Sequence, residues 1–348
     1  MKLLELQKQL RKEKIDYLFL TNKDPNFTYF TQKSIVFSFS LLAIPQKGKP
    51  LLFVNSLDKE KTSSLTRNIL IKKPFDEFVK KHLKPKEVAY NASCLTVTVL
   101  KQFKKIFPKT KFQDFSEFLL NLRAEKTKQE IIYLKKACKL TVKAFHEILK
   151  RLKKRKFKTE NDIVCFLQKF ALKNNADISF PSIASFGKNT GNPHHFPGNQ
   201  KLKKGFLMLD FGITCCSYRA DMTRMIYLGK PSAKELKIYN FLLDVQKQTI
   251  KNIRLGQTAG EVDQSARKLL GKYSSYFLHG LGHGVGVEIH ELPSFKPDSE
   301  DVIKENQIFT VEPGIYLKNF GLRIEDTVLM KKKPIILTKV SKELIVIK

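Results

Sequence analysis

Four carboxylates and one imidazole stand out in the second half of the chain, each inside its own short motif: Asp210 in LDFG, Asp221 in YRADMTR, His283 in HGLGHGVGVEIHE, Glu312 in FTVEPGIY and Glu325 in GLRIEDT. An oxygen-rich set with one nitrogen suits hard or borderline divalent cations, Mn²⁺ or Co²⁺ first and Zn²⁺ after them. Four carboxylates carry more charge than one dication needs, so two adjacent ions with shared carboxylates account for the set better than one. The chemistry to expect is metal-assisted hydrolysis.

Local patterns say how these residues are presented. Residues 206–212 and 218–228 read as the strands of a hairpin. Folded about Cys215 and Cys216, the hairpin places Asp210 directly opposite Asp221, with Cβ atoms about 5 Å apart, a separation that suits a metal pair spaced about 3.5 to 4 Å. Asp210 follows the apolar run Phe206, Leu207, Met208, Leu209, so it is expected to be buried and to need a partner. Five of the seven histidines fall in two groups, His194 with His195, and His279 with His283 and His290. On one strand His283 and His290 point to opposite faces unless a bulge intervenes, which Gly284 and Gly286 permit. Arg323 and Glu325 share a face of a strand, where the cation keeps the carboxylate ionised and oriented. Pro313 and Gly314 put Glu312 at a turn or strand end.

The elements that must hold them divide in two. Residues 1–121 alternate an opening helix with short β-like runs (DYLFLTN, LLAIP, PLLFV, VAYNA) and read as a small α/β domain. From 122 to 348 the pattern is α/β again, with a weak internal duplication. Thr127 and Glu130 form a capping-box pair ahead of a long helix whose inward face is Ile131, Leu134, Cys138, Thr141, Phe145, Ile148 and Leu152. A second helix opens near Thr159, with Ile163, Phe166, Leu167 and Phe170 apolar, and leads through FPSIASFG to Pro193-His194-His195. Ser232 with Glu235 and Thr258 with Glu261 cap a long and a short helix in the same order before FLHGLGHG. Two such units facing one another would form a cleft suited to a site.

Composition bounds the rest. At 348 residues with 42% apolar content, the chain can fill two cores. It has no apolar run of the roughly 18 residues that span a bilayer, and its five cysteines lack CxxC spacing, so a cytoplasmic protein without structural disulfides is expected. The net charge of +31 raises nucleic acid as a partner. Lysine is spread along the whole length and arginine is scarce, so the expectation is a solvated surface with no more than weak, non-specific nucleic-acid binding.

The ordered motifs resemble those of the pita-bread metallopeptidases, the superfamily of prolidase, aminopeptidase P, methionine aminopeptidase and creatinase. NFTYFTQ resembles their creatinase-type N-terminal domain, NLRAEKTKQEIIYLKKAC the entry to the catalytic domain, and PHH, LDFG, ADMTR, HGLGHGVGVEIHE, VEPGIY and GLRIEDT the active-site blocks. The length and the HGLGHGVGVEIHE block look most like microbial prolidases, the Xaa-Pro dipeptidases. The resemblance implies an α/β (α+β) architecture, a creatinase-like domain followed by a pita-bread domain with pseudo-twofold duplication. It implies two divalent metals, with Asp210 on one, His283 and Glu312 on the other, and Asp221 and Glu325 bridging. It places His194, His279, His290 and Arg323 among the residues that contact substrate or support the ligands, with Glu312 moving a proton and His290 and His194 stabilising the oxyanion. Proline-containing peptides would be the substrates and a homodimer the assembly. An Xaa-Pro aminopeptidase acting on longer peptides is the alternative. A non-catalytic pita-bread protein that binds protein or nucleic acid would have lost ligands, and a creatinase-type amidinohydrolase works without metals. The complete set of five argues against both. Two departures from the family pattern are the missing glycine near Ser217 and Phe30-Thr31-Gln32 in place of Leu-Thr-Gly.

Overall fold

Capping chemistry fixes where the helices of the second half begin. The computed structural model describes residues 2–32, 39–55, 67–70 and 75–348, and these form two compact units, Met1–Arg123 and Ala124–Lys348. The first unit runs α1 (Leu3–Lys12), β1 (Tyr17–Thr21), α2 (Pro25–Thr31), β2 (Leu41–Pro45), β3 (Leu51–Val54), β4 (Arg67–Leu70), α3 (Phe75–His82), β5 (Glu87–Tyr90), α4 (Val97–Ile106) and β6 (Lys111–Asp114), with α5 (Ser116–Ala124) at its end. Its mixed sheet has the order β4-β3-β2-β1-β5-β6. Phe19, Phe53, Val88 and Phe103 anchor the core between sheet and helices.

The second unit opens with α6 (Lys128–Lys153) and α7 (Glu160–Lys173). Both begin with complete capping boxes, Thr127 with Glu130 and Thr159 with Asp162, each satisfying two backbone donors that a bare helix end leaves open. All seven residues expected on the inward face of α6 are buried. These helices cover one face of a four-stranded sheet, order β19-β11-β9-β8, made of β8 (Ile183–Phe186), β9 (Gly205–Asp210), β11 (Thr223–Leu228) and β19 (Ile345–Ile347). The short strands β7 (Asp177–Ile178) and β10 (Ile213–Thr214) pair separately.

The duplication is visible in the helices that follow, α8 (Ala233–Asn252) and α9 (Ala259–Leu270), again a long and a short helix with capping boxes at Ser232 and Thr258. They pack with a five-stranded sheet, order β13-β12-β14-β17-β18, formed by β12 (Gly282–Gly284), β13 (Glu291–Phe295), β14 (Ile308–Val311), β17 (Asp326–Met330) and β18 (Pro334–Ile336). A two-stranded ribbon, β15 (Gly314–Tyr316) with β16 (Gly321–Arg323), lies between in sequence. No helix among the described residues is long and apolar enough to cross a membrane.

Two expected placements are corrected. The hairpin does not fold about Cys215 and Cys216. Its turn is Cys216-Ser217, closed by paired hydrogen bonds between Cys215 and Tyr218, with φ of 55° and 66° at the two central residues. That is the left-handed backbone a two-residue hairpin needs, adopted without glycine at a cost of about 1–2 kcal/mol per residue. The register shifts by two, so Asp210 faces Thr223 and not Asp221. Similarly, GLRIEDT is not one strand: β16 ends at Arg323 and β17 starts at Asp326, in a different sheet.

Candidate active site

Asp210 closes β9, and Asp221 sits two residues before its cross-strand partner, Thr223. Because strand alternation has a period of two, Asp221 stays on the face that Asp210 uses. The break between β16 and β17 delivers Glu325 to the same place. One carboxylate oxygen from each of Asp210, Asp221 and Glu325 lies within 4.8 Å of the other two. Thr223 joins them: its hydroxyl donates to Oε2 of Glu325 at 2.8 Å and accepts from Nε of Arg323 at 3.1 Å. Arg323 therefore reaches Glu325 only through Thr223, and its direct carboxylate partner is Asp210, 2.6 Å from Oδ2. The expected pairing of Arg323 with Glu325 is corrected accordingly.

The other two residues come from the second sheet. Glu312 follows β14 at the expected break, its N–H donating to the carbonyl of Leu281 at 2.8 Å. His283 lies in β12 with Nε2 3.4 Å from Glu312 Oε1 and 3.6 Å from Asp221 Oδ2. Thr310 fixes both, accepting from the His283 N–H and donating to Glu312 Oε1, each at 3.0 Å. The five residues thus form one group.

Its electrostatics fit divalent metal. Oδ1 of Asp210, Oδ1 of Asp221 and Oε1 of Glu325 are buried with no hydrogen-bond partner, an arrangement that is costly unless a cation meets them. Burial, compounded by the neighbouring carboxylates, raises Asp221 and Glu325 well above the ordinary carboxylate range. Burial also pushes Glu312 up to about 7 and brings His283 down to about 4, aided by nearby His290. A neutral imidazole and a pool of carboxylate oxygens are what a di-metal site of this kind requires.

The remaining histidines are placed by loops. GHGVGVEIH is not a continuous strand. β12 stops at Gly284, and the following loop brings His290 back edge-on to His283, ring centroids 4.3 Å apart. Glu291 anchors that loop through a buried ion pair with Lys126 at 2.9 Å and a 3.1 Å bond from the Glu288 N–H. A Cβ on Gly286 would lie 2.2 Å from the Glu291 carboxylate, so any larger residue would have to displace that Lys126-paired group. His279 accepts or donates at Nε2 with the Tyr316 hydroxyl, 2.7 Å away, and burial lowers it to about 3. His194 lines the site cavity, whereas His195 turns away to Glu160, with 2.9 Å between Nε2 and Oε2.

The cavity, about 420 Å³, contains all five candidate ligands with His194, His279, His290 and Arg323 in its walls, and Phe180, Ile183, Ile289 and Phe295 supply its apolar surface. Arg323 is fully engaged: besides Asp210 and Thr223 it donates to the Tyr316 hydroxyl at 2.7 Å and the Pro193 carbonyl at 3.3 Å. Sequence reasoning missed Thr223, Thr310, Tyr316, Lys126, Glu160 and Glu291. All of these but Glu160 lie inside the quoted motifs, but nothing in their spacing distinguishes a supporting residue from a core one.

The sequence model of metallopeptidase family M24 matches residues 133–332, the region that carries every carboxylate and histidine of this cavity. The chain belongs to metallopeptidase family M24. The creatinase/prolidase N-terminal domain matches residues 2–124 of the same chain. Over 99% of both sequences this M24 chain is 31% identical to the Xaa-Pro dipeptidase of Pyrococcus furiosus. Its fold superimposes on the prolidase from Pyrococcus horikoshii OT3 with a TM-score of 0.89 at 29% identity, covering 99% of each chain. The X-Pro aminopeptidase from Thermotoga maritima MSB8 is similar too, with a TM-score of 0.88 at 27% identity and 99% coverage of each.

Proposed function

We propose that this M24 peptidase is an Xaa-Pro dipeptidase that hydrolyses the bond preceding proline. The observation that carries the reading is the set of partnerless carboxylate oxygens of Asp210, Asp221 and Glu325 in a cavity of about 420 Å³, within a chain that matches a Pyrococcus furiosus Xaa-Pro dipeptidase end to end. Asp210, Asp221, His283, Glu312 and Glu325 would hold two divalent cations, Asp221 and Glu325 shared between them. Two such ions supply Lewis-acid polarisation of the scissile carbonyl and activation of water at neutral pH. The carboxylate-rich set favours Mn²⁺ or Co²⁺ over Zn²⁺. A homodimer follows from the family resemblance, and a cytoplasmic setting agrees with five free cysteines.

The chain's own groups divide the remaining work. Arg323 orients Asp210, and Thr310 orients Glu312. Glu312, oriented by the Thr310 hydroxyl on its Oε1, is the carboxylate placed to take a proton from the attacking water and pass it to the proline nitrogen, which must leave as a secondary amine. His290 and His194 face the cavity as donors for the oxyanion. His279 is kept neutral by burial and holds Tyr316, hence Arg323, in place. The imide nitrogen before proline has no N–H, so recognition depends on the apolar wall and on the substrate's termini.

The engagement of Arg323 removes it as the partner for a dipeptide's free carboxylate, which supports keeping an Xaa-Pro aminopeptidase as the second reading. Lys296, also in the cavity lining, is the cation placed to take that role. The deciding measurement is kcat/KM for an Xaa-Pro dipeptide against the same sequence extended by one or two residues after proline. The dipeptide is expected to be faster. Equal or faster cleavage of the extended peptides reassigns the enzyme as an aminopeptidase and leaves the metal site untouched.

A further inference from the structure

The positive charge is not evenly spread over the surface. Residues 135–173, covering most of α6 and all of α7, hold thirteen Lys or Arg and three Asp or Glu, a net of +10 against +31 for all 348 residues. That is almost three times the charge density of the whole chain. The three acids do little to offset it. Glu147 is paired with Lys150 at 2.7 Å, Glu160 is fully buried under the loop it holds, and Asp162 is occupied by the N–H groups of Lys158 and Thr159 in the capping box.

This charge lines two recesses that share Lys143 and Glu147. The first, about 920 Å³, has Leu140, Val142 and Leu149 as its floor and Lys136, Lys139, Lys150 and Lys153 along its rim. The second, about 650 Å³, runs between α6 and α7, with Arg151, Lys156, Lys158, Lys169 and Lys173 around Phe157, Phe166 and Phe170. There the cations meet aromatic faces: the Arg151 guanidinium lies 4.5 Å from the Phe166 ring centre and the Lys143 ammonium 5.9 Å from that of Phe170. Neither recess shares a lining residue with the active-site cavity.

We propose that the α6–α7 face binds single-stranded nucleic acid, separately from peptide hydrolysis. A row of cations from Lys136 to Lys153 spans about 25 Å of helix at 1.5 Å per residue, long enough to follow several phosphates of a flexible strand. A guanidinium stacked on a ring offers its other face to a base, so Arg151 over half-buried Phe166 is the stacking element, while Phe157 and Phe170 are buried in the core and only back the groove. An acidic peptide would use the lysines but not the stacked surfaces. A flat bilayer reaches convex faces and leaves a recess between helices unfilled.

The test uses the full-length, metal-loaded enzyme and a fluorescein-labelled uridine oligonucleotide of about 20 nucleotides, longer than a typical single-strand site. Affinity should fall steeply between about 50 and 200 mM salt. The combined variant Lys143→Glu, Arg151→Glu, Lys156→Glu, Lys169→Glu should bind at least about tenfold more weakly, with the salt slope reduced by about 0.7 per lost phosphate contact. A control variant of equal net charge, Lys234→Glu, Lys237→Glu, Lys251→Glu, Lys268→Glu, should stay within about threefold of the parent. If thermal melts show that the first variant does not fold, glutamine at the same four positions replaces it. Equal weakening by the two variants would mean that net charge alone attracts the strand, and the proposal fails. It fails as well if a duplex of the same length binds as tightly as the single strand, or if phosphatidylserine vesicles are bound and the oligonucleotide is not.

Discussion

Arg323 grips Asp210 and not Glu325. Its terminal nitrogen lies 2.6 Å from Oδ2 of Asp210, which leaves Oδ1 of the same carboxylate buried and partnerless towards the cavity. Replacement by lysine keeps the charge but cannot reach Asp210, Thr223 and Tyr316 together. Arg323→Lys is therefore expected to weaken metal binding about 10- to 100-fold, as loss of an orienting partner commonly does. Competition with a chelator of known affinity measures this, and an unchanged affinity would show that Asp210 needs no such support.

Asp221 stands between Glu325 and His283, so its loss should be felt by more than one ion. Reconstituted protein is expected to hold about two divalent ions per chain, and Asp221→Asn clearly fewer, by elemental analysis after desalting. Full occupancy and full turnover in that variant would exclude a shared ligand.

His283 and His290 are in ring contact yet are expected to behave differently. His283→Ala should lose metal, while His290→Ala should retain it and lower kcat by about 10²-fold, the usual order for a group that stabilises developing charge. Equal metal loss in the two variants would place His290 among the ligands.

Glu160 touches no part of the cavity lining, but it organises the loop that carries His194. Its carboxylate accepts from the Phe186 and Gly198 N–H groups, the Asn189 amide and His195. Glu160→Ala strands these donors at about 1–3 kcal/mol for an unsatisfied group. Faster hydrogen exchange at residues 187–198 and a lower kcat/KM are expected with metal content unchanged. Unaltered exchange and kinetics would remove Glu160 from the site's support.

Stability should respond to pH in opposite senses with and without metal. In chelated protein the folded state keeps protons on Asp221 and Glu325, raised well above the usual range, and on Glu312, raised to about 7. The unfolded chain has already released these protons, so stability falls as pH rises through the folded values. His279 and His283, lowered to about 3 and about 4, act in the other direction, but their effect is largely complete by about pH 6.5, the unfolded value. Between about pH 6.5 and 8 the carboxylates dominate and the Tm of chelated protein should drop. Metal-loaded protein should hold or gain Tm over the same range, because binding requires deprotonated ligands. Thermal scans at both pH values test this, and parallel slopes would contradict it.

The sequence by itself determined the residue types of the site, the helices and the two-part layout. Asp210, Asp221, His283, Glu312 and Glu325 were legible because each lies in a distinctive motif, and they converge on one cavity. The capping boxes at Thr127, Ser232 and Thr258 and the inward face of α6 were legible because they depend on neighbours within a turn or two of helix. Tertiary structure alone decided what those residues touch. The hairpin register moved by two because turn geometry, not the midpoint of the apolar runs, selected Cys216 and Ser217. Arg323 closes β16 while Glu325 falls in the break before β17, and Thr223 became their link across 102 residues of sequence to Glu325. The basic stretch 135–173 is already present in the sequence, but only the packing of α6 on α7 showed that it lines two recesses. Periodicity and capping are short-range properties that a sequence displays directly. Hydrogen-bond partners and charge fields depend on which distant segments pack together, and local pattern does not encode that.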